Sequence, residues 1–245
     1  MATSIQSRIL EDSPLYAALN ERKFSDAREC LNNEDINTQY EKGKTLLHWA
    51  AENNRIQVTE FLLENRANTE TRDDLGRTPL HVSVGSVNVV VSYLLSKRAN
   101  VNAQTPEKKL TALHLAVLRK SEELMGILLD AGAEILPSSA GMTPLHYAVS
   151  AEMTPLTSAA NLAEKINIVG RLLVAGADVN AQTKKDKLTA LHEAVESDAI
   201  EITKLLIRWK ANPYLKNSKN NSPVELAHQE NKTELLTILM GSDLE

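Results

Sequence analysis

Thr78-Pro79-Leu80-His81 decides the fold, because the chain returns to it at a nearly constant interval. Thr45-Leu46-Leu47-His48, Thr111-Ala112-Leu113-His114, Thr143-Pro144-Leu145-His146 and Thr189-Ala190-Leu191-His192 repeat it, with threonine-to-threonine spacings of 33, 33, 32 and 46. Ser13-Pro14-Leu15-Tyr16 precedes the first copy by 32, and Ser222-Pro223-Val224-Glu225 follows the last by 33. A period of this length marks an array of supersecondary units, each too small to bury its own apolar face.

Positions outside the tetrapeptide hold the same register. Two residues after each Thr or Ser stands Leu15, Leu47, Leu80, Leu113, Leu145, Leu191 or Val224. Five residues after it stands a small one: Ala18, Ala50, Ser83, Ala116, Ala148, Ala194 or Ala227. A large apolar residue followed three later by a small one suits a short helix that buries one edge and lets a neighbour approach. Further on an apolar pair recurs, Cys30-Leu31, Leu62-Leu63, Leu94-Leu95, Leu128-Leu129, Leu172-Leu173 and Leu206-Ile207, which predicts the buried face of a second helix. Ser13-Pro14, Thr78-Pro79, Thr143-Pro144 and Ser222-Pro223 place a capping hydroxyl before a proline at the first helical position. Gly132 and Gly176 are placed to end second helices in the left-handed conformation, and polar links run to Gly43, Gly76 and Gly141.

On these residues the chain resembles the ankyrin-repeat family, carried by Thr78-Pro79-Leu80-His81, by Thr143-Pro144-Leu145-His146-Tyr147-Ala148 and by Leu172 to Asn180. The resemblance implies an all-α repeat solenoid of paired antiparallel helices with β-hairpin fingers. Its expected organisation is an N-terminal tail over 1–12, one repeat domain over 13–240 and a C-terminal tail over 241–245. Units start at 13, 45, 78, 111, 143, 189 and 222, with an insert at about 150–162. The insert carries Pro155, where a helix would break; it reads either as a functional loop or as a tolerated insertion at a surface turn.

Composition narrows the function. Lys plus Arg total 27 against 32 Asp plus Glu, a formal charge of -5, which is no footprint for nucleic-acid binding. Aromatic residues make up 4%, lean for stacking bases. The lone cysteine, Cys30, excludes an intrachain disulfide; at its apolar-pair position it is expected to be a buried small hydrophobe rather than a nucleophile. No apolar run approaches the roughly 18 residues of a membrane span. A cytoplasmic or nuclear monomer, with no membrane and no nucleic-acid partner, is the expectation.

Five of the six histidines occupy the tetrapeptide, which invites a metal or catalytic array. Stacked helices lie about 8–10 Å apart, too far for His81 and His114 to share one metal. The resemblance implies a structural imidazole, bonded to its own threonine hydroxyl and to neighbouring finger backbone. His228 stands outside the register and is expected on the surface of the last helix. Phosphate-cradling, dinucleotide, zinc-protease and serine-hydrolase motifs are absent. No catalytic residue, cofactor or metal is therefore assigned.

What remains is a surface. By resemblance, the face made by first helices and fingers lies just before each Thr and seven to eight residues after it. The candidates are Lys42, Lys44, Glu52 and Asn53; Asp74, Arg77 and Ser86; Lys108, Lys109, Leu110 and Arg119; and Lys184, Lys185, Lys187, Leu188 and Glu196. The links Val101–His114 and Val179–His192 are nearly the same, each one residue longer than the others and lysine-tipped. They read as a basic clamp for an acidic partner or as a duplication without functional meaning. The helix-ending glycine of the family is replaced by Arg66, Arg98 and Lys210, so those units should be looser. Trp209, beside Lys210, reads either as an exposed anchor or as packed against the last unit.

The reading is a non-enzymatic protein-interaction module, an adaptor or inhibitor, with no effector domain expected beside the repeats. Thr111-Ala112-Leu113-His114-Leu115-Ala116-Val117 is similar to finger-helix junctions of inhibitors of Rel-type transcription factors, and a pathogen effector imitating them fits equally. The alternative is a substrate-recruiting subunit of a ubiquitin ligase or another enzyme complex.

Overall fold

In the computed structural model, residues 9–85, 88–150 and 159–241 are described. They divide into two compact units: one runs to Pro106 and takes in Asp130–Gly132, the other holds Glu107–Leu129 and the chain from Ala133. The first unit contains helices α1 (Pro14–Asn20), α2 (Phe24–Cys30), α3 (Leu46–Glu52), α4 (Ile56–Glu64), α5 (Pro79–Ser83) and α6 (Asn88–Ser96). The second contains α7 (Ala112–Leu118), all of α8 (Glu122–Asp130) but its last residue, α9 (Pro144–Val149), α10 (Ala159–Val174), α11 (Ala190–Glu196), α12 (Ile200–Arg208), α13 (Pro223–Gln229) and α14 (Thr233–Leu239).

Every odd-numbered helix starts at the predicted hydroxyl. Ser13, Thr45, Thr78, Thr111, Thr143, Thr189 and Ser222 are the N-caps, all in extended backbone. The residues that set the register are the core: Leu15, Leu47, Leu80, Leu113, Leu145 and Leu191 are at most 1% exposed. The small residues let helices touch, α3 against α5 in the first unit and α7, α9, α11 and α13 in sequence in the second. Second helices stack in the same way, α10 on α12 and α12 on α14. The first member of the apolar pair is buried in Leu62, Leu94, Leu128, Leu172 and Leu206. Cys30 departs from expectation: it is half-buried, because it ends α2 beside an open groove with Ile9, Ser13 and Tyr40. His228 is exposed as expected, but on α13, with α14 still to follow.

Most of the insert, Pro155 included, lies outside the described residues. Its end does not: α10 begins at Ala159 and runs 16 residues, against 9 in α12, so Ala159–Leu162 continue the second helix rather than a loop. Inside, the buried Lys165 donates from Nζ to the Ser150 carbonyl at the end of α9 (3.1 Å). Burial lowers its pKa, and the charge of Glu193 opposes that fall.

Three left-handed positions recur. Second helices end at Arg66 (φ 65), Arg98 (φ 64), Gly132 (φ 85), Gly176 (φ 89) and Lys210 (φ 62), so the non-glycine residues do adopt the strained geometry. Left-handed backbone costs an L-residue roughly 1 kcal/mol relative to glycine. Arg66→Gly, Arg98→Gly and Lys210→Gly are each expected to stabilise the chain by about 0.5–1 kcal/mol in urea titrations, and lower stability in all three would refute the strain. The turn between paired helices is left-handed at Arg22, Asn54, Lys120, Asp198 and Asn231.

The third position lies two residues before each N-cap, in the finger: Gly43, Gly76, Lys109, Gly141, Lys187 and Asn220, with φ from 48° to 81°. A Cβ on Gly43 would meet Asp74 Oδ1 at 2.5 Å, on Gly76 the Pro106 Cδ at 2.1 Å, and on Gly141 the Lys184 N at 2.7 Å. In the remaining fingers the position is Lys109, Lys187 or Asn220.

Candidate functional site

The fingers are built from the tetrapeptide outward. In each of the five copies the histidine Nδ1 lies 2.8–2.9 Å from its threonine Oγ1. The same Nδ1 accepts the threonine backbone N–H at 3.1–3.2 Å. An accepting Nδ1 leaves the proton on Nε2, which donates to the backbone of the next finger. His48 reaches the Arg77 carbonyl (3.0 Å), His114 that of Met142 (3.4 Å), His146 that of Leu188 (3.1 Å) and His192 that of Asn221 (3.1 Å). Burial lowers the pKa of these four histidines, that of His114 to about 4, against the pull of the carbonyls they meet. They are neutral struts. Among the described residues no group of three His, Cys, Asp or Glu could hold a metal.

In the last unit Glu225 replaces the histidine, accepting from Ser222 N (2.7 Å) and Ser222 Oγ (3.0 Å) and pairing with Lys216. The lysine and these hydrogen bonds hold its pKa at about 2.

Each finger is a hairpin-type turn, and none forms a strand among the described residues. Its base is closed by a short polar side chain: Asp73 accepts from Leu75 N and Arg77 N, Ser138 from Met142 N, Thr183 from Leu188 N, and Asn217 from Lys219 N and Asn221 N. Side chains such as Gln39, Arg72 and Gln182 then bridge a carbonyl of their own finger to one of the next. Tips are tied by one backbone rung: Asp74 N to Lys42 O (3.0 Å), Ser139 N to Lys108 O, Lys184 N to Ala140 O and Ser218 N to Asp186 O (each 2.9 Å). Pro106 occupies the equivalent place in its finger and, having no N–H, cannot donate this rung.

This frame sorts the candidate residues. In the first unit Lys44 is ion-paired with Glu52, and both border a groove with Lys42 and Trp49. Asn53 turns back to cap the Trp49 carbonyl (2.9 Å), Asp74 supplies its backbone to the rung, and Arg77 is clamped on the buried Asp73 (2.7 Å). Trp49, which the sequence reading passed over, stacks edge-on with Tyr16 at 4.9 Å under the Arg55 guanidinium. The signal was available, an aromatic one residue past the tetrapeptide. Ser86 lies outside the described residues.

In the second unit Lys108, Lys109, Lys184, Lys185 and Lys187 are exposed on finger tips. Leu110 and Leu188 are half-buried at finger bases, and Leu188 gives its carbonyl to His146. Arg119 and Glu196 are exposed at the ends of α7 and α11, where the Glu196 carbonyl accepts from Lys232 Nζ (3.0 Å). Trp209 caps the C-terminus of α12 at 42% exposure, just before the chain runs into the next finger. The structure thus sets the five lysines on finger tips and Trp209 at the end of a second helix.

Helix pairs joined by cross-bonded fingers, with side chains displayed on tips rather than enclosed, define a repeat protein of the binding-surface type. The chain belongs to the ankyrin-repeat family: the family described as ankyrin repeats (3 copies) matches residues 15–105, 88–161 and 156–245. A Danio rerio protein named as a palmitoyltransferase, ZDHHC13, is 26% identical over 235 residues, 94% of this chain and 35% of that protein. Ankyrin repeat and SOCS box protein 6 of Mus musculus is 32% identical over 154 residues, 62% of this chain and 35% of the relative. The chain therefore spans about a third of the length of these curated relatives. The crystal structure of the ankyrin repeat domain of Bcl-3, an IkappaB family member, superposes with a TM-score of 0.79 at 26% identity, covering 94% of this chain and 99% of that one.

Proposed function

We propose that the chain is a non-enzymatic protein-interaction module, an adaptor or inhibitor that occupies a partner through its fingers and first helices. The observation that carries this is the division of labour in the repeat. Leucines, alanines and histidines are spent on packing, while fingers and the ends of first helices keep charged residues in solvent. The near-complete match to the Bcl-3 domain favours an inhibitor-like regulator of Rel-type transcription factors, or an effector that imitates one. Likeness to the SOCS box protein favours the second reading, a substrate-recruiting subunit of a ubiquitin ligase. No helix among the described residues is long and apolar enough to cross a membrane, and a monomer acting in cytoplasm or nucleus fits both.

The test is affinity capture from a cell extract followed by cross-linking mass spectrometry. Cross-links are expected to gather on the finger tips and on Glu52, Arg119 and Glu196. Cross-links confined to the second helices, or no captured partner at all, would overturn the reading, as would turnover by the purified chain that a single His→Ala change abolishes.

A further inference from the structure

The two lysine-tipped fingers of the second unit carry a net charge opposite in sign to the chain's formal -5, five lysines against Glu107 and Asp186. Lys108, Lys184, Lys185 and Lys187 are exposed and form no ion pair among the described residues, and Lys109 is exposed beside Lys108. The finger between these two tips is tied to both, by Ser139 N to Lys108 O and by Lys184 N to Ala140 O. Its tip, Ser139-Ala140-Gly141, bears no charge and no side chain beyond a hydroxymethyl. At Gly141 a single added carbon would strike the Lys184 backbone at 2.7 Å. Two lysine tips thus rise on either side of one low, neutral step, and Lys219 is exposed on the next finger beyond.

A second observation is independent of the charge count. The left-handed position before each N-cap is glycine in three fingers, yet Lys109 (φ 50) and Lys187 (φ 48) hold it in the two lysine-tipped ones. Lysine is sterically disfavoured there, and backbone strain collects where function requires the side chain.

We infer that these two tips bind an extended acidic segment of a partner protein, laid across the Ser139-Ala140-Gly141 step with carboxylates on the lysines of both sides. The inference rests on the reading as a protein-interaction module and names the chemistry of the partner. Repeats stack about 10 Å apart, so the outer tips stand about 20 Å from each other, which about six extended residues span. The three fingers contain no aromatic side chain to stack a base, which favours a peptide over a nucleic acid. Ammonium groups on flexible stems suit carboxylates spaced along such a segment, and the local field steers them in against the chain's overall charge.

Fluorescence anisotropy with the whole chain tests this directly. The probes are a labelled octapeptide of alternating Glu and Ser, its Gln-for-Glu counterpart, and a single-stranded oligonucleotide of equal charge. The Glu peptide is expected to bind at least tenfold tighter than the Gln peptide, and to weaken about tenfold between 50 and 300 mM salt. Lys108→Glu with Lys185→Glu should weaken it more than tenfold while the circular dichroism is unchanged. Lys109→Gly with Lys187→Gly should raise Tm by about 2–4 °C and still weaken the peptide threefold or more, a combination that lysines of purely structural role would not produce. Failure of the Glu peptide to bind, equal binding of the Gln peptide, affinity indifferent to the substitutions, or tighter binding of the oligonucleotide would each overturn the inference. If that happens while cross-links to captured proteins still gather on fingers and first helices, the acidic-segment inference falls and the module reading stands.

Discussion

Acidification from pH 7 to pH 5 is expected to destabilise the fold by at least about 2 kcal/mol through its buried histidines. His114 has its pKa lowered from 6.5 to about 4, chiefly by burial. Between those values the unfolded chain binds a proton that the folded chain refuses, so stability is complete above about 6.5 and is lost as pH falls toward about 4. At pH 5 this one residue accounts for on the order of 2 kcal/mol. His48, His146 and His192 are shifted in the same direction by the same cause. Protonation at Nδ1 would also destroy the acceptor that closes each capping box. Glu225 adds its contribution in a lower window: its pKa of about 2 gives stability that is present above about 4.5 and lost as pH falls toward 2. Urea midpoints measured from pH 7.5 to 4.5 check this, and a midpoint that stays level down to pH 5 would refute it.

Replacing one strut should be nearly as damaging. His192→Ala removes a fully buried ring, leaving Thr189 N without its acceptor and the Asn221 carbonyl without its donor, and opens a cavity between a first helix and the next finger. Unsatisfied buried groups cost about 1–3 kcal/mol and the lost packing adds to this, so a total of about 3 kcal/mol is expected. Glu225→Ala, at the same register in the last unit, should cost less, because its side chain is half-exposed and water can take the place of the lost carboxylate. Thermal melts of the two variants at pH 7 decide the matter. Equal losses would mean that the His-to-finger bond contributes little.

Much of this was legible beforehand. The tetrapeptide located all seven first helices to the residue, because a capping hydroxyl, a proline and a buried leucine are local requirements that no tertiary context has to supply. The strained ends at Arg66, Arg98 and Lys210 were legible as well, since the resemblance to the family places a left-handed, glycine-favouring residue there. Cys30 was misjudged as fully buried: its position in the period is that of a core residue, but it ends α2 beside an open groove with Ile9, Ser13 and Tyr40. The helical start at Ala159 was missed because the register carries no information inside an insertion.

The candidate surface shows the limit more sharply. Sequence placed Arg77 and the tip lysines in one class, exposed charge beside a threonine. Only the fold separated them, by turning the buried Asp73 onto Arg77 while leaving Lys184, Lys185 and Lys187 in solvent. Likewise, nothing in the spacing says that Gly43, Gly76 and Gly141 are glycines because Asp74, Pro106 and Lys184 rest on them. The sequence alone determined the repeat, its period and its caps, since these depend on residues within one turn of each other. The tertiary structure decided which charges are spent within the molecule and which remain for a partner, because that depends on contacts between residues a full repeat apart.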